Sequence, residues 1–273
     1  QGMSRDLIVA FGPALAKDTP VDVLKRRVFD LSVHSWQSHV ETLPTLASAW
    51  ISSVKRVKNN TSLSDSISGD VSAYKALTGA ICMARRMKKQ VVGQNVGILM
   101  PTSVGGVLAN MAALLCGKTL VNLNYTASNE ALMAGLAQAE VQTIYTAKRF
   151  IAQLEKRGID LAPVLEGKQV VFLDELNQAI GLREKVFTLL AVQLLPSWLL
   201  RGLYCKRVSA DDTAAILFSS GSEGTPKGVM LSQKNIMANL KQISDVLNTQ
   251  ESDVVMASLP LFHAFGLTVT QFM

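Results

Sequence analysis

Short apolar runs set between stretches of helical periodicity constrain the fold of this chain more than any other feature. Val96 to Met100 is one such run, closed by Pro101, and Thr119 to Leu123, Val141 to Thr146, Val170 to Leu173 and Ala214 to Phe218 are further ones. Runs this short and this largely apolar are expected to be strands covered on both faces. Strands that alternate with helices are joined by crossovers, which makes their sheet largely parallel. Between the runs, Tyr74, Leu77, Ile81 and Ala84 share one helical stripe, opposite Lys75, Thr78, Arg85 and Lys89. Gly105 to Cys116 is a helix-like apolar stretch ended by Gly117. The expected class is therefore α/β, with a largely parallel sheet flanked by helices.

The first part of the chain is organised differently. Leu7 to Phe11 is strand-like, Gly12-Pro13 is a turn, and a helix opened by Pro20 runs through Val21 to Leu31. A second helical pattern covers His34 to Lys58, and Asn59 to Asp70, rich in Asn, Ser, Thr and Asp, is expected to be a surface loop or linker. A boundary is placed between Ser32 and Gly69. With 273 residues, 48% of them hydrophobic, the chain can bury a substantial core, so disorder is excluded as its main state.

Lys and Arg outnumber Asp and Glu by 27 to 21, with clusters at Lys55-Arg56-Val57-Lys58 and Arg85-Arg86-Met87-Lys88-Lys89. A net charge of +6 suits an acidic partner such as a nucleotide, an anionic lipid or an acidic carrier protein, or else marks solvated helix faces. Cys82, Cys116 and Cys205 are odd in number and widely spaced, so neither a disulfide framework nor a zinc site is indicated, and a reducing, cytosolic setting is expected. No signal peptide is visible at the start. Val186 to Leu200 carries no charge and is flanked by Arg183, Lys185 and Arg201. It falls short of the ~20 residues that span a bilayer, and Pro196 interrupts it. It is either a buried core helix or an interfacial helix with Trp198 at the headgroup level.

The segment that carries chemistry is Ala214-Ala-Ile-Leu-Phe-Ser-Ser-Gly-Ser-Glu-Gly-Thr-Pro-Lys-Gly-Val-Met-Leu-Ser232. It begins as a buried strand and becomes a loop of Ser219, Ser220, Gly221, Ser222, Glu223, Gly224 and Thr225, followed by Pro226, Lys227 and Gly228. A helix then carries Ile236, Leu240, Ile243 and Leu247 on one face, with Ser232 as its N-cap. Glycines let backbone N–H groups approach phosphate oxygens, hydroxyls add donors, and a lysine supplies positive charge. Pro226 before the lysine and Gly228 after it exclude a Walker A loop.

These residues resemble the phosphate-binding signature of the acyl-adenylate-forming superfamily, aromatic-Thr-Ser-Gly-Ser/Thr-Thr-Gly-x-Pro-Lys-Gly. Leu259-Pro-Leu-Phe-His-Ala-Phe-Gly266 is similar to that family's Pro-Leu-Phe-His-x-x-Gly element. Alone, His263 would be a packed or capping histidine; the resemblance places it where the carboxylate substrate meets the nucleotide. His34 and His39 lack such a context. Asp70 to Leu77, Gln94 to Ser103 and Leu114 to Leu123 also follow the family's pattern, so the resemblance covers about residues 32 to 273. It implies the N-terminal subdomain of the acyl-adenylate-forming fold, truncated: the family's Tyr-Gly-x-Thr-Glu and Thr-Gly-Asp elements, hinge and lid lysine are not among these residues. The 273 residues alone are accordingly expected to be inactive.

Glu223 stands where the family commonly has Thr. The Ser-Glu-Gly variant resembles bifunctional bacterial enzymes that join an acyl-carrier-protein synthetase to a lysophospholipid acyltransferase. Val9 to Pro20 is similar to the end of that acyltransferase, making 1–31 the close of a preceding domain plus linker and 32–273 the incomplete ligase subdomain. The resemblance implies ATP and Mg2+ as cofactors, with Ser219 to Thr225 and Lys227 on the phosphates and His263 as the catalytic residue. It implies fatty acid, acyl carrier protein and lysophospholipid as partners, no nucleic acid, and peripheral contact with the inner face of the plasma membrane. A fatty-acyl or aryl coenzyme A ligase shares the first half-reaction, and a nucleotide-binding module without turnover is the alternative of another class.

Overall fold

The computed structural model describes residues 8–219, 226–250 and 252–272. Its elements in order are α1 (Val21–Val40), α2 (Leu46–Val57), β1 (Thr61–Asp65), β2 (Gly69–Ser72), α3 (Ala73–Gln90), β3 (Asn95–Ile98), α4 (Val104–Leu115), β4 (Thr119–Asn122), α5 (Asn129–Gln138), β5 (Thr143–Thr146), α6 (Lys148–Glu155) and α7 (Ala162–Leu165). They continue with β6 (Gln169–Phe172), α8 (Leu173–Gln178), α9 (Leu182–Leu194), α10 (Ser197–Tyr204), β7 (Thr213–Ser219), β8 (Lys227–Ser232), α11 (Gln233–Leu247) and a π-helical segment, Gly266–Gln271.

Six strands form the main sheet in the order β6-β5-β3-β4-β7-β8. The first five are parallel and β8 runs antiparallel to β7. Every expected apolar run thus became a strand. All four residues of β4 and of β5 are buried, as strands covered on both faces must be. The chain leaves β3 on one side for β4 and crosses to the other side for β5, so strand order reverses between β3 and β5. In open α/β sheets that reversal opens a crevice at the carboxyl ends of the strands.

Four of the helices open on a serine whose side chain accepts a backbone N–H: Ser72, Ser103, Ser128 and Ser232. Each satisfies an amide that the first helical turn leaves unpaired. Ser232 is the N-cap, as its position in the sequence predicted, and it forms a full capping box with Asn235.

Several sequence expectations are corrected. Residues 8–11 form no strand; their side chains are exposed, and nothing among the described residues pairs with them. The first helix does not stop at Leu31 but runs to Val40, because no Gly or Pro interrupts it. No residue of α1 is buried, and burial begins at Leu46. Asn59 to Asp70 is no linker: β1 and β2 pair as an antiparallel hairpin, with Asp65 facing Gly69 across the turn. Its strands are largely exposed and polar, so they lack the apolar alternation that marks a strand.

Val186 to Leu200 is divided into α9 and α10 at Pro196. Thr188, Val192 and Leu200 face inward, whereas Phe187 and Trp198 are 70% and 66% exposed and Leu194 is 78% exposed, so the segment is not a buried core helix. Three members of the basic clusters, Lys55, Arg85 and Arg86, tie to α9. Arg86 grips Glu184 with two hydrogen bonds of 2.6 Å each, Arg85 reaches the same carboxylate at 3.2 Å, and Lys55 donates to the last carbonyls of α9, Val192 and Gln193, at 2.9 Å each. Those charges are therefore internal ties rather than free surface for an acidic partner. The Arg86 hydrogen bonds outweigh burial and hold the Glu184 carboxyl below its ordinary range.

Candidate functional site

The Gly/Ser segment is a hairpin connection. Strand β7 leads into it and β8 leads out, with Phe218 opposite Gly228 and Ser219 opposite Lys227. The six-residue strand β8 follows Pro226 and separates it from α11, which opens at the expected N-cap, Ser232. Ser220, Gly221, Ser222, Glu223, Gly224 and Thr225 lie outside the described residues.

The base of the hairpin is well anchored. Ala214, Ala215, Ile216 and Leu217 are buried, and the Phe218 ring lies between two glycines. A Cβ on Gly228 would stand 3.1 Å from that ring, and one on Gly135 would stand 3.4 Å from it. The glycine that follows the lysine therefore has a packing reason: a flat aromatic face rests on its backbone. At the other end of β8, the buried Gln233 accepts the Leu46 N–H at 3.1 Å, which fixes the start of α11 against α2. Lys227 itself is exposed, and among the described residues its ammonium pairs with no carboxylate.

His263 sits on a loop moulded against α4 and the π-helical segment. Thr102 Oγ1 donates to the Leu259 carbonyl at 3.1 Å, and the His263 N–H donates to the Pro260 carbonyl at 3.0 Å. Gly266 lies so close beneath this loop that a Cβ there would be 2.1 Å from the Pro260 oxygen. The Phe-His-x-x-Gly spacing is thus a close-contact requirement. His263 is exposed and caps the following helical turn, its Nδ1 accepting the Phe265 N–H at 3.2 Å. With Nδ1 occupied as an acceptor, the neutral imidazole carries its proton on Nε2, which leaves a donor facing outward. No strand precedes it, since residues 254–257 are irregular.

These two elements, more than thirty residues apart, meet around one cavity of about 180 Å³. Phe218, Ser219 and Pro226 line it from the hairpin and Phe262 from the histidine loop, together with Asn122 at the end of β4 and Asn124 beyond it. His263 is the neighbour of a lining residue, not itself one. Sequence reasoning missed Asn122, which is 5% exposed and whose Nδ2 has no partner among the described residues. A buried amide donor left unpaired at a cavity wall is an unmet hydrogen bond, and nothing in its sequence context distinguishes it from an ordinary strand terminus.

The family model for AMP-binding enzymes matches residues 69–273, three quarters of the chain and all of the site just described. The chain belongs to the AMP-binding enzyme family. Among relatives of this AMP-binding enzyme is an acyl-CoA ligase, sidI, of Beauveria bassiana, 28% identical over 192 residues, which make up 65% of this chain and 31% of the relative. Another is the chloroplastic long-chain-fatty-acid--[acyl-carrier-protein] ligase AEE15 of Arabidopsis thaliana, 41% identical over 58 residues, 21% of this chain and 8% of that protein. The chain thus spans about a third or less of the length of these curated relatives. The solved structure of McyG A-PCP complexed with phenylalanyl-adenylate shares the fold, with a TM-score of 0.64 at 20% identity over 85% of this chain and 35% of that one.

Proposed function

We propose that the protein to which this chain belongs activates a long-chain fatty acid with ATP and passes the acyl group to the phosphopantetheine thiol of acyl carrier protein, for reacylation of a lysophospholipid. The observation that carries this is the hairpin base, where exposed Lys227 pairs with Ser219, a residue lining a cavity whose Asn122 amide has no partner among the described residues. Support for the fatty acid and the carrier protein comes from the AEE15 similarity and from the Ser222-Glu223-Gly224 variant.

In this reaction the carboxylate oxygen attacks the α-phosphorus of ATP, a new O–P bond forms, and the bond to the β-phosphate oxygen breaks to release pyrophosphate. Two anions must be brought together, and the leaving group gains charge. Lys227 and the segment Ser219 to Thr225 are assigned to the β and γ phosphates. The Nε2–H of His263 is assigned to the carboxylate, which it can orient without adding negative charge. Magnesium carried on the phosphates would supply charge neutralisation there, a mode that needs one or two protein carboxylates at most. Residues 1–31 are assigned to the close of a preceding acyltransferase domain and its linker, and 32–273 to the ligase portion, the two joined by α1.

The exposed apolar side of α9 and α10 supports peripheral contact with the inner face of the plasma membrane. Among the described residues no helix is long and apolar enough to cross a bilayer. Leu194→Asp combined with Trp198→Asp, both at highly exposed positions, is expected to reduce co-sedimentation with anionic liposomes at least tenfold. Unchanged sedimentation would remove this contact.

The acceptor is tested by giving the whole protein ATP, palmitate and either acyl carrier protein or coenzyme A. Preferential loading of the carrier protein is expected. Acylation of coenzyme A alone would make it an acyl-CoA ligase, the reaction named for the sidI relative, and no thioester with either would overturn the proposal.

A further inference from the structure

A second and larger cavity, of about 680 Å³, lies away from the hairpin and shares no lining residue with the smaller one. It opens where Met100 and Pro101 follow β3, Ala147 follows β5 and Leu173 follows β6. That is the crevice at which strand order reverses, the place where open α/β sheets receive ligands. Its volume falls within the roughly 300–1,000 Å³ of small-molecule sites.

The walls come from Met83, Leu108, Phe150, Leu176, Ile180 and Leu189, and the charges facing it are Lys75, Arg149, Lys185, Asp65 and Asp174. Both carboxylates are occupied. Asp65 accepts the N–H groups of Ile67, Ser68 and Val104, and Asp174 accepts that of Lys148. The cations are less committed. Lys185 reaches only the oxygens of Asn177, while Lys75 and Arg149 pair with no carboxylate among the described residues. An apolar chamber with free positive charge facing it fits a molecule with a long apolar tail and an anionic head. The same helix α9 that supplies Leu182, Val186 and Leu189 to the chamber turns Phe187 and Leu194 outward.

We infer that this cavity is a binding site for a long-chain carboxylate, separate from the site of adenylate formation, with its tail among the α3, α4 and α9 side chains and its head at Lys75 and Arg149. The inference does not require that the proposed acyl transfer be correct, since it concerns binding without ATP.

The test is equilibrium binding of the fluorescent fatty acid cis-parinaric acid to the whole protein, with palmitate, hexadecanol and lysophosphatidylcholine as competitors. Gly79 lines the chamber from α3, and a Cβ there would meet only the Leu108 Cδ1, at an ordinary 3.4 Å. Gly79→Leu should therefore fill the space without straining the helix and weaken binding at least tenfold. Lys75→Met with Arg149→Met, at the rim, should weaken palmitate at least tenfold and leave hexadecanol unchanged. Lysophosphatidylcholine, which has no net charge, should compete like hexadecanol. His263→Ala, whatever it does at the site of adenylate formation, should leave in place the saturable binding that Gly79→Leu removes. Loss of binding in His263→Ala but not in Gly79→Leu would assign the fatty acid to the catalytic site alone and overturn the inference. Binding insensitive to both the Gly79 and the Lys75/Arg149 changes, or no saturable binding, would overturn it as well; adenylate formation is read separately, by exchange of pyrophosphate into ATP.

Discussion

Gly266→Ala is expected to destabilise the protein by about 3 kcal/mol or more, the upper end of what overpacking a close contact costs. The added methyl would stand 2.1 Å from the Pro260 oxygen, 2.9 Å from the Pro260 carbonyl carbon and 3.0 Å from the Leu259 oxygen. All three are backbone atoms, and they belong to a loop fixed by the Thr102 and His263 hydrogen bonds, so no side-chain rotation relieves the clash. Either the 259–263 loop lifts away or the helical turn after it opens. Both displace His263, so activity should fall even where the protein still folds. Gly202→Ala is the control: it lies in α10 with nothing near its Cβ, and alanine there should be neutral or stabilising by up to about 1 kcal/mol. Urea unfolding of the two variants checks the contrast. Similar midpoints would mean that the loop does not rest on Gly266.

Lys227→Ala is expected to weaken ATP and pyrophosphate by roughly ten- to a hundredfold or more while leaving AMP nearly unchanged. Removing one charge-assisted contact costs about 1.5–3 kcal/mol, which sets that range. The difference between nucleotides follows from position. The β7–β8 register holds Lys227 opposite Ser219 at the base of the loop assigned to the β and γ phosphates, and AMP has neither. Stability should not fall, because among the described residues the ammonium makes no ion pair. Calorimetric titration with ATP, pyrophosphate and AMP checks it. Equal losses for ATP and AMP would mean that Lys227 does not hold phosphate.

The parallel sheet was legible in the chain because its strands are buried on both faces. Val96, Leu120, Ile144 and Ala215 sit in short, largely apolar runs bounded by helical patterns, and each became a central strand. The β1–β2 hairpin was not legible, since its residues are polar and half in solvent. Strand β8 was missed because Lys227-Gly228 opens it and Val229 and Met230 stay exposed, so it has no buried face to produce a pattern. At the site, Ser219 and Lys227 stood out as parts of a Gly/Ser loop with one lysine, whereas His263 was singled out only by the resemblance to the family's Pro-Leu-Phe-His-x-x-Gly element. That Phe218 and Phe262 would wall one cavity with Asn122 could not be picked out, because sequence spacing contains nothing about how two distant loops fold back on one strand end.

The proposed formation of a fatty acyl-adenylate is tested most directly by exchange of labelled pyrophosphate into ATP, catalysed by the whole protein with no thiol acceptor present. Exchange should require palmitate, because only a bound adenylate can be attacked by pyrophosphate to return ATP, and Lys227→Ala should suppress it at least tenfold. Exchange that runs equally well without any carboxylate, or no exchange with carboxylates of any chain length from an enzyme that still binds ATP, would contradict it.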